Sequence, residues 1–184
     1  MTKIVTFEMR DDGVGILWLN VVGAKQNTIK PSFRADLEEA RRGLRKKGAK
    51  ALVLASKKPG SFMAGGDIEG FKTMLDVESA TARARRLQDA LNDLEASTVP
   101  VVAAIDGICL GGGLEIALAC HARVASDARH TKLGLPEVQL GLVPAGGGTQ
   151  RLPRAVGLLA ALDLMLTGKQ IDARQAQEIG LVSG

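Results

Sequence analysis

The chain has 184 residues, enough for one sizeable domain with its own core. Its net charge of +4 lacks the strong basic excess typical of nucleic-acid-binding domains and suits an anionic small-molecule ligand. No apolar run is as long as a membrane span, which argues against a transmembrane protein. The N-terminus begins directly with strand-like sequence and has no signal-peptide pattern, so we expect a cytoplasmic protein.

The first third of the chain alternates segments typical of strands and of helices. Residues 3–8 and 14–20 alternate or run apolar on either side of an Asp-Asp-Gly turn, which predicts a β-hairpin. Residues 21–30 show no periodicity and predict a loop. Apolar residues at helical spacing over 33–44 predict a helix. The short apolar run 51–55 then predicts a strand buried on both faces.

The same alternation continues to the end of the chain. A long helix over 77–96 carries an apolar stripe, which predicts core packing, and 99–105 is typical of a second buried strand. A short strand over 123–126 and a helix over 155–166 follow, and Asp172 is a good N-cap for a last short helix. Strands separated by helix-length segments predict an α/β architecture with a largely parallel sheet.

Two glycine-rich segments, 62–67 and 107–113, follow predicted strands as loops. Ligands of parallel α/β sheets bind beyond the carboxyl ends of the strands, so both segments lie where a ligand is expected. Gly111–Gly113 opens a helix whose first amides have no internal partner, which suits a site for negative charge on an oxygen. Tight helix–strand packing and a phosphate cradle are the alternatives. The full dinucleotide-binding fingerprint and the P-loop are both missing.

Two glutamates lie where a carboxylate could carry out chemistry. Glu115 is in the first turn of the helix that the glycines open, and Glu137 lies in an apolar segment next to Pro136, which constrains its position. Two carboxylates held in one apolar pocket can have their pKa values driven apart, one acting as acid and the other as base. Taken singly, Glu115 is equally well explained by the helix dipole, and Glu137 as a surface acid.

The cysteines and histidines indicate neither a disulfide framework nor a metal site. Cys109 and Cys120 lie in apolar surroundings and form no Cys-x-x-Cys pair, which predicts buried free thiols in a reducing compartment. No metal-ligand spacing surrounds His121 or His130, so we expect no bound metal.

The motifs are more specific in combination, and they resemble those of the enoyl-CoA hydratase/isomerase (crotonase) family. The resemblance is carried by residues 62–68, 103–115, 135–142 and 146–153. It implies a crotonase-like α/β fold, a spiral of ββα units, over residues 1–184, with the family's C-terminal helices absent from this chain. Residues 109–121 and 131–153 are most similar to the hydratase part of the bifunctional α-subunits of fatty-acid oxidation complexes.

The resemblance implies an enzyme that hydrates trans-2-enoyl-CoA to 3-hydroxyacyl-CoA in fatty-acid β-oxidation. Glu115 and Glu137 match the family's two catalytic glutamates, which hold one water. Gly66 and Gly112 match the residues whose backbone N–H groups form the oxyanion hole for the thioester. Some Δ3-Δ2-enoyl-CoA isomerase activity is expected beside hydration. Hydration needs no cofactor, and NAD is expected only for a 3-hydroxyacyl-CoA dehydrogenase region, which follows in the bifunctional proteins.

Other residues match the family's contacts with CoA and substrate. They are Ala24, Lys25, Asn27, Ala64, Gly65, Asp67, Ile68, Gly111, Gly113 and Pro136. Lys25 is either a contact for a CoA phosphate or a solvated side chain. The chain departs from the family pattern at Gly66, where alanine is common, and at residues 21–23, which replace a proline-containing turn.

The resemblance leaves alternatives for the activity and the partners. Another acyl-CoA lyase or isomerase on the same fold is one, because the fold hosts many chemistries. An RNA-binding relative that uses the basic run 41–50 is another, although the two retained glutamates favour an enzyme. In the full-length protein the resemblance implies a homotrimer, or an α/β complex with a thiolase subunit.

Overall fold

The computed structural model describes residues 2–67 and 76–184, which alternate strands and helices along the chain. The strands are β1 (Val5–Met9), β2 (Val14–Leu19), β3 (Ala51–Ser56), β4 (Ser61–Met63), β5 (Val101–Ile105), β6 (Ile108–Leu110), β7 (Ala122–Ala125) and β8 (Lys132–Gly134). The helices are α1 (Phe33–Lys46), α2 (Val77–Glu95), α3 (Gly112–Leu118), α4 (Gly148–Val156), α5 (Leu158–Thr167), α6 (Ala173–Glu178) and a 3₁₀ helix over Pro136–Leu140.

The larger sheet has five strands in the order β1-β2-β3-β5-β7. β1 and β2 pair antiparallel and form the predicted hairpin, whose turn is closed by a 3.0 Å hydrogen bond from the Val14 N–H to the Asp12 carboxylate. From β2 onward, neighbouring strands are parallel. The predicted α/β architecture with a largely parallel sheet is therefore confirmed.

A second, three-stranded parallel sheet in the order β4-β6-β8 carries the glycine-rich segments. The chain repeats a strand–strand–helix unit, first β3-β4-α2 and then β5-β6-α3, so that β4 and β6 become neighbours. The ββα organisation is therefore confirmed. The prediction of plain loops over 62–67 and 107–113 is wrong where β4 and β6 run, because three residues are too few to show an alternating pattern.

Aliphatic side chains between α1 and the larger sheet form part of the core. Leu44 of α1 packs at Gly15 of β2, where a β-carbon would lie 2.7 Å from the Leu44 Cδ2 atom. Leu52 and Leu54 of β3 are buried, whereas Val53 between them is only half-buried. The prediction that β3 is buried on both faces is therefore wrong, because α1 packs against one face of the sheet and the strand alternates.

The long helix α2 lies where it was predicted, but only its C-terminal half packs into the core as predicted. The Asp76 carboxylate caps it by accepting a 2.6 Å hydrogen bond from the Ser79 N–H. Leu91 and Leu94 near its end are buried, whereas Ala80 near its start is exposed. The C-terminal half of α2 therefore joins the core and lies close to the site described below.

The C-terminal helices differ from the prediction in one place. The expected helix over 155–166 is two helices, α4 and α5, because Gly157 separates them with a φ of 79°. The last helix, α6, starts at the predicted cap, Asp172, which forms a capping box with Gln175. Within residues 2–67 and 76–184, no helix is long and apolar enough to cross a membrane.

Candidate active site

The two glycine-rich segments meet where β4 and β6 end side by side. A β-carbon on Gly65 would lie 3.5 Å from the Gly112 nitrogen, and Gly65 has a φ of 96°, which side chains disfavour. A β-carbon on Gly113 would overlap the Met63 carbonyl oxygen. The packing alternative is therefore correct for Gly113, and the close contact brings Gly66 and Gly112 to the same place.

The backbone N–H groups of Gly66 and Gly112 donate to no acceptor within the described residues. The carbonyl that precedes Gly66 accepts a 2.9 Å bond from the Ile29 N–H, and the carbonyl that precedes Gly112 accepts a 3.0 Å bond from the Glu115 N–H. Because the N–H and C=O of a trans peptide point in opposite directions, both glycine N–H groups point away from these partners. Two donors are thus left available for a ligand.

Glu115 is buried, with 2% of its surface exposed, and its carboxylate is held by backbone. Its Oε1 atom accepts hydrogen bonds from the N–H of Gly146 at 2.7 Å and of Gly148 at 2.8 Å. Gly148 is the first residue of α4, so the helix N-terminus faces the negative charge. A β-carbon on Gly146 would lie 2.6 Å from the Glu115 Oε2 atom, so a side chain there would collide with the carboxylate.

Arg151 lies behind this backbone and is 7% exposed. Its Nη1 atom donates to the Gly146 carbonyl at 3.0 Å, and the rest of the guanidinium donates to Glu95 and Asn92. Burial raises the pKa of Glu115 above its ordinary value, and the two N–H donors and the positive charge of Arg151 offset part of that rise. The contacts that oppose the effect of burial therefore come from the Gly146–Gly148 backbone and from Arg151.

Glu137 follows Pro136 at the start of the 3₁₀ helix. Its Oε2 atom is buried and has no hydrogen-bond partner within the described residues. Burial raises the pKa of Glu137 to about 7, and the nearby charge of Glu115 raises it as well. A carboxyl group in these surroundings keeps its proton close to neutral pH.

The carboxyl groups of Glu115 and Glu137 both lie close to the peptide between Gly111 and Gly112. A β-carbon on Gly111 would lie 3.1 Å from Glu137 Oε1, and one on Gly112 would lie 3.8 Å from Glu115 Oε2. Two carboxyl groups, and two N–H donors that have no acceptor within the described residues, are therefore brought together around Gly111 and Gly112. Such a site can add and remove protons next to an oxygen that gains negative charge.

Comparison with known proteins agrees with this geometry. Residues 13–184 match the sequence model of the family described as enoyl-CoA hydratase/isomerase. The chain belongs to the enoyl-CoA hydratase/isomerase family. Structures of enoyl-CoA hydratases from Geobacillus kaustophilus and Bacillus anthracis are similar to it, with TM-scores of 0.90 and 0.86 and identities of 34% and 33%. The chain covers 68% and 69% of those chains, is itself covered over 100% and 98%, and shares their crotonase fold.

A longer curated relative is also similar. The fatty acid oxidation complex subunit alpha of Shewanella baltica is 50% identical over all 184 residues, which make up 26% of that protein. A second strain of the same species gives the same identity and coverage. The chain thus spans about a quarter of the length of the curated relatives it matches.

In this family member, the predicted CoA contact Asn27 has its side chain turned into the protein. Asn27 is fully buried, and its Oδ1 atom accepts from the Val21 N–H at 2.8 Å. Its Nδ2 atom donates to Ser56 Oγ at 2.9 Å and to the Phe62 carbonyl at 3.1 Å. The side chain ties the 21–30 loop to the end of β3 and to β4, and the Asn27 backbone N–H donates to Ser61 Oγ at 3.3 Å.

The neighbouring candidates lie at the surface of the same loop. Ala24 and Lys25 are exposed, and the Ala24 carbonyl accepts a 2.6 Å bond from Lys58 Nζ. Asp67, at the end of the other candidate segment, pairs with Lys30 Nζ at 2.6 Å. Two lysines thus stand near the predicted CoA contacts without having been singled out from the sequence.

The two predicted CoA-binding segments are joined to each other. The Ala64 N–H donates to the Asn27 carbonyl at 2.8 Å, and Ile29 and Gly66 form a parallel bridge. The predicted CoA contacts in the 21–30 loop and those that follow β4 are therefore neighbours in the fold. Ile68 lies outside the described residues, and the contacts with CoA stay predictions.

The second glycine triplet, Gly146–Gly148, and Arg151 lie in the segment 146–153 that carries the family resemblance, but the sequence pattern assigned no role to either of them. In the structure, Gly146 and Gly148 supply the donors to Glu115. A signal was present, since consecutive glycines at a helix start form an anion site in the same way as Gly111–Gly113. The partner of that site could not be read from the sequence, because Glu115 lies about 30 residues earlier.

Proposed function

We propose that the chain catalyses hydration of trans-2-enoyl-CoA thioesters to 3-hydroxyacyl-CoA. The observation that supports this most is the pair of glutamates at the Gly111–Gly112 step, one held by two N–H donors and one whose buried Oε2 atom has no hydrogen-bond partner within the described residues. Membership of the enoyl-CoA hydratase/isomerase family supports the same reaction.

The free N–H groups of Gly66 and Gly112 bind the thioester oxygen. When water adds to the β-carbon of the enoyl group, electrons move through the double bond to this oxygen, which becomes enolate-like. Two fixed donors stabilise that charge, and losing one such donor typically costs about 100- to 1,000-fold in rate. Glycine at both positions leaves room for the thioester to approach the backbone.

The surroundings of the two glutamates assign their roles. Glu115, held by two N–H groups and faced by Arg151, is the group we assign as the base that takes a proton from the attacking water. Glu137, whose pKa is raised to about 7, gives its proton to the α-carbon. One proton leaves water and one reaches the substrate, so the hydroxyl and hydrogen add across the double bond and the proton balance closes.

The same pair can move a double bond. Converting a 3-enoyl-CoA into a 2-enoyl-CoA removes a proton from the α-carbon and returns one to the γ-carbon, which a single carboxylate can do. Glu137 is the group we assign to the α-carbon, so we expect Δ3-Δ2 isomerisation to depend on Glu137 more than on Glu115. Another lyase or isomerase reaction of the fold is the alternative.

For the complete protein we propose a multifunctional enzyme of fatty-acid β-oxidation. The support is the similarity to subunits named as alpha subunits of fatty acid oxidation complexes, of which this chain matches about a quarter. A 3-hydroxyacyl-CoA dehydrogenase region that uses NAD, and a complex with a thiolase subunit, belong to this proposal. Purification of the complete protein followed by NADH formation from enoyl-CoA checks the coupled activity.

Replacing each glutamate tests the proposed chemistry. In the complete protein, we expect Glu115→Gln and Glu137→Gln each to lower kcat for crotonyl-CoA hydration by about 100- to 10,000-fold, because each removes one proton transfer. Loss of the enoyl-thioester absorbance measures the rate, and binding of a CoA ligand should survive. Glu178→Gln, at an exposed position on α6, is the matched control. Near-normal turnover by either variant would show that the two-glutamate mechanism is wrong.

A further inference from the structure

Arg151 connects the backbone that holds Glu115 to the helix α2. It stands one turn into α4, and its guanidinium is buried under the Gly146–Gly148 triplet. Its Nη1 atom donates to the Gly146 carbonyl at 3.0 Å, while the Gly146 N–H donates to Glu115 at 2.7 Å. Gly146 is thus held on both sides, by the cation and by the carboxylate.

The triplet needs such a hold because its glycines are conformationally free. Gly147 has a φ of 108°, and a β-carbon there would overlap Arg151 Nη1. Glycine loses more conformational freedom on ordering than any other residue, so three in a row do not fix two N–H donors by themselves. The hydrogen bond from Arg151 to the Gly146 carbonyl therefore restrains this flexible backbone.

Arg151 is itself anchored by a fork of hydrogen bonds to α2. Its Nε and Nη2 atoms donate to Glu95 Oε2 at 3.0 and 2.8 Å, and Nη2 also donates to Asn92 Oδ1 at 2.7 Å. The guanidinium therefore reaches three acceptors on two elements with fixed directions. A lysine ammonium in its place would keep the charge but lack this planar fork.

Arg151 also acts on Glu115 through its charge. Within the described residues, Arg151 and Glu137 are the charged side chains that face Glu115, and Glu95 pairs with Arg151 on its far side. The positive charge lowers the pKa of Glu115, whereas the Glu137 carboxylate has the opposite effect when ionised. Arg151 therefore favours the form of Glu115 that can take a proton from water.

We propose that Arg151 is a positioning residue, which fixes the Gly146–Gly148 cradle, the backbone that holds the Glu115 base; the inference rests on the proposed hydration. Arg151 touches the cradle and not the substrate in this arrangement. Its loss should therefore affect kcat much more than KM.

Replacing Arg151 by a neutral residue tests the inference in the complete protein. We expect Arg151→Gln to lower kcat for crotonyl-CoA hydration about 10- to 100-fold with little change in KM, because misplaced donors misplace the base. The rising limb of the rate against pH, which reports ionisation of Glu115, should move up by about one pH unit. Arg154→Gln is the matched control, since Arg154 is exposed on the same helix.

Two more variants separate charge from geometry. Arg151→Lys should keep the rising limb near its wild-type pH while kcat stays low, because the ammonium retains charge without the fork. Asn92→Ala removes one anchor without changing any charge and should give a smaller loss of kcat. If Arg151→Gln does not fold, as judged by circular dichroism, the kcat values of Asn92→Ala and Arg151→Lys test the inference instead. Normal kcat in both variants would overturn it.

A direct titration keeps the inference separate from the proposed function. Carbon NMR of labelled glutamate side chains, with Glu115 assigned through Glu115→Gln, follows the carboxyl without turnover. An upward shift of its midpoint in Arg151→Gln supports the role of Arg151 even if the wild-type protein does not hydrate crotonyl-CoA. An active wild type together with normal kcat, an unmoved limb and an unmoved midpoint in Arg151→Gln would overturn it.

Discussion

The two glutamates of the site are the same residue type at the same peptide step, in opposite surroundings. Glu115 accepts two backbone N–H bonds at 2.7 and 2.8 Å and has Arg151 behind them. The Oε2 atom of Glu137 is buried and has no hydrogen-bond partner within the described residues. Burial raises the pKa of both, but only Glu115 has donors that oppose the rise strongly.

Because the residue type is the same, this difference comes from the backbone contacts and the burial of each carboxyl group. The N-terminus of α4 and its glycines stabilise one carboxylate as an anion. Burial of the other, the Glu137 carboxyl group, raises its pKa to about 7.

The strongest way to break the comparison is to fill the cradle of Glu115. Gly146→Ala would place a methyl group 2.6 Å from Glu115 Oε2, so the carboxylate must move or lose a donor. We expect kcat for hydration to fall by about 100-fold or more, because a displacement of about 1 Å at a catalytic group costs that much. Crotonyl-CoA turnover in the complete protein measures it.

A glycine elsewhere provides the control for this substitution. Gly48 follows α1, has a φ of 74°, and a β-carbon there meets nothing within 4 Å. Gly48→Ala should cost about 1–2 kcal/mol of stability through its backbone alone and leave kcat unchanged. Equal losses of turnover in Gly146→Ala and Gly48→Ala would contradict the claim that the Gly146–Gly148 cradle positions Glu115.

The pH dependence sharpens the other side of the comparison. Glu137 must be protonated to give a proton to the substrate, and its pKa is about 7. We therefore expect kcat/KM to fall above about pH 7, by about tenfold per pH unit once Glu137 is mostly ionised. Stopped-flow or steady-state rates on crotonyl-CoA measure the profile. A rate that stays constant well above neutral pH would exclude Glu137 as the acid.

The smallest expected effect is on stability. Folding raises the pKa of Glu137 from 4.5 to about 7, so the folded state keeps its proton where the unfolded state has lost it. Stability therefore falls as pH rises from about 4.5, and the loss is complete above about pH 7. Glu137→Gln cannot ionise, so it should be more stable than wild type above pH 7, by about 0.5–2 kcal/mol.

Urea unfolding at both ends of this pH range measures the difference. Below pH 4.5 the two proteins should unfold alike, because both side chains are then neutral. The exposed Glu178→Gln serves as the control and should show no such dependence. A wild-type protein that is the more stable one above pH 7 would mean that Glu137 finds a partner in its charged form.

Sequence reasoning reached the parts of the site that are local in the chain. The hairpin, the start of the helix at Val77, the N-cap Asp172, and Glu115 beside its glycines all depend on residues a few positions apart. Gly113 shows the limit, because its need for glycine comes from the Met63 carbonyl of another strand. A local pattern suggested only that a close approach occurs there.

The parts that sequence reasoning missed depend on contacts across the fold. Asn27 was predicted to contact CoA, yet its side chain is buried and forms hydrogen bonds with the backbone of Val21 and Phe62. The role of Gly146 depends on Glu115, which comes about 30 residues before it. The three-residue strands β4 and β6 have no signal of their own and exist because they pair with each other.

The bridge between Ile29 and Gly66 affects the conformational entropy of the peptide at Gly66. The Ile29 N–H holds the Gly65 carbonyl at 2.9 Å, so the peptide that carries the Gly66 donor cannot rotate freely. Fixing one residue costs about 1–2 kcal/mol of conformational entropy. In this protein that entropy is lost once, during folding, so the Gly66 N–H is already ordered before any ligand binds.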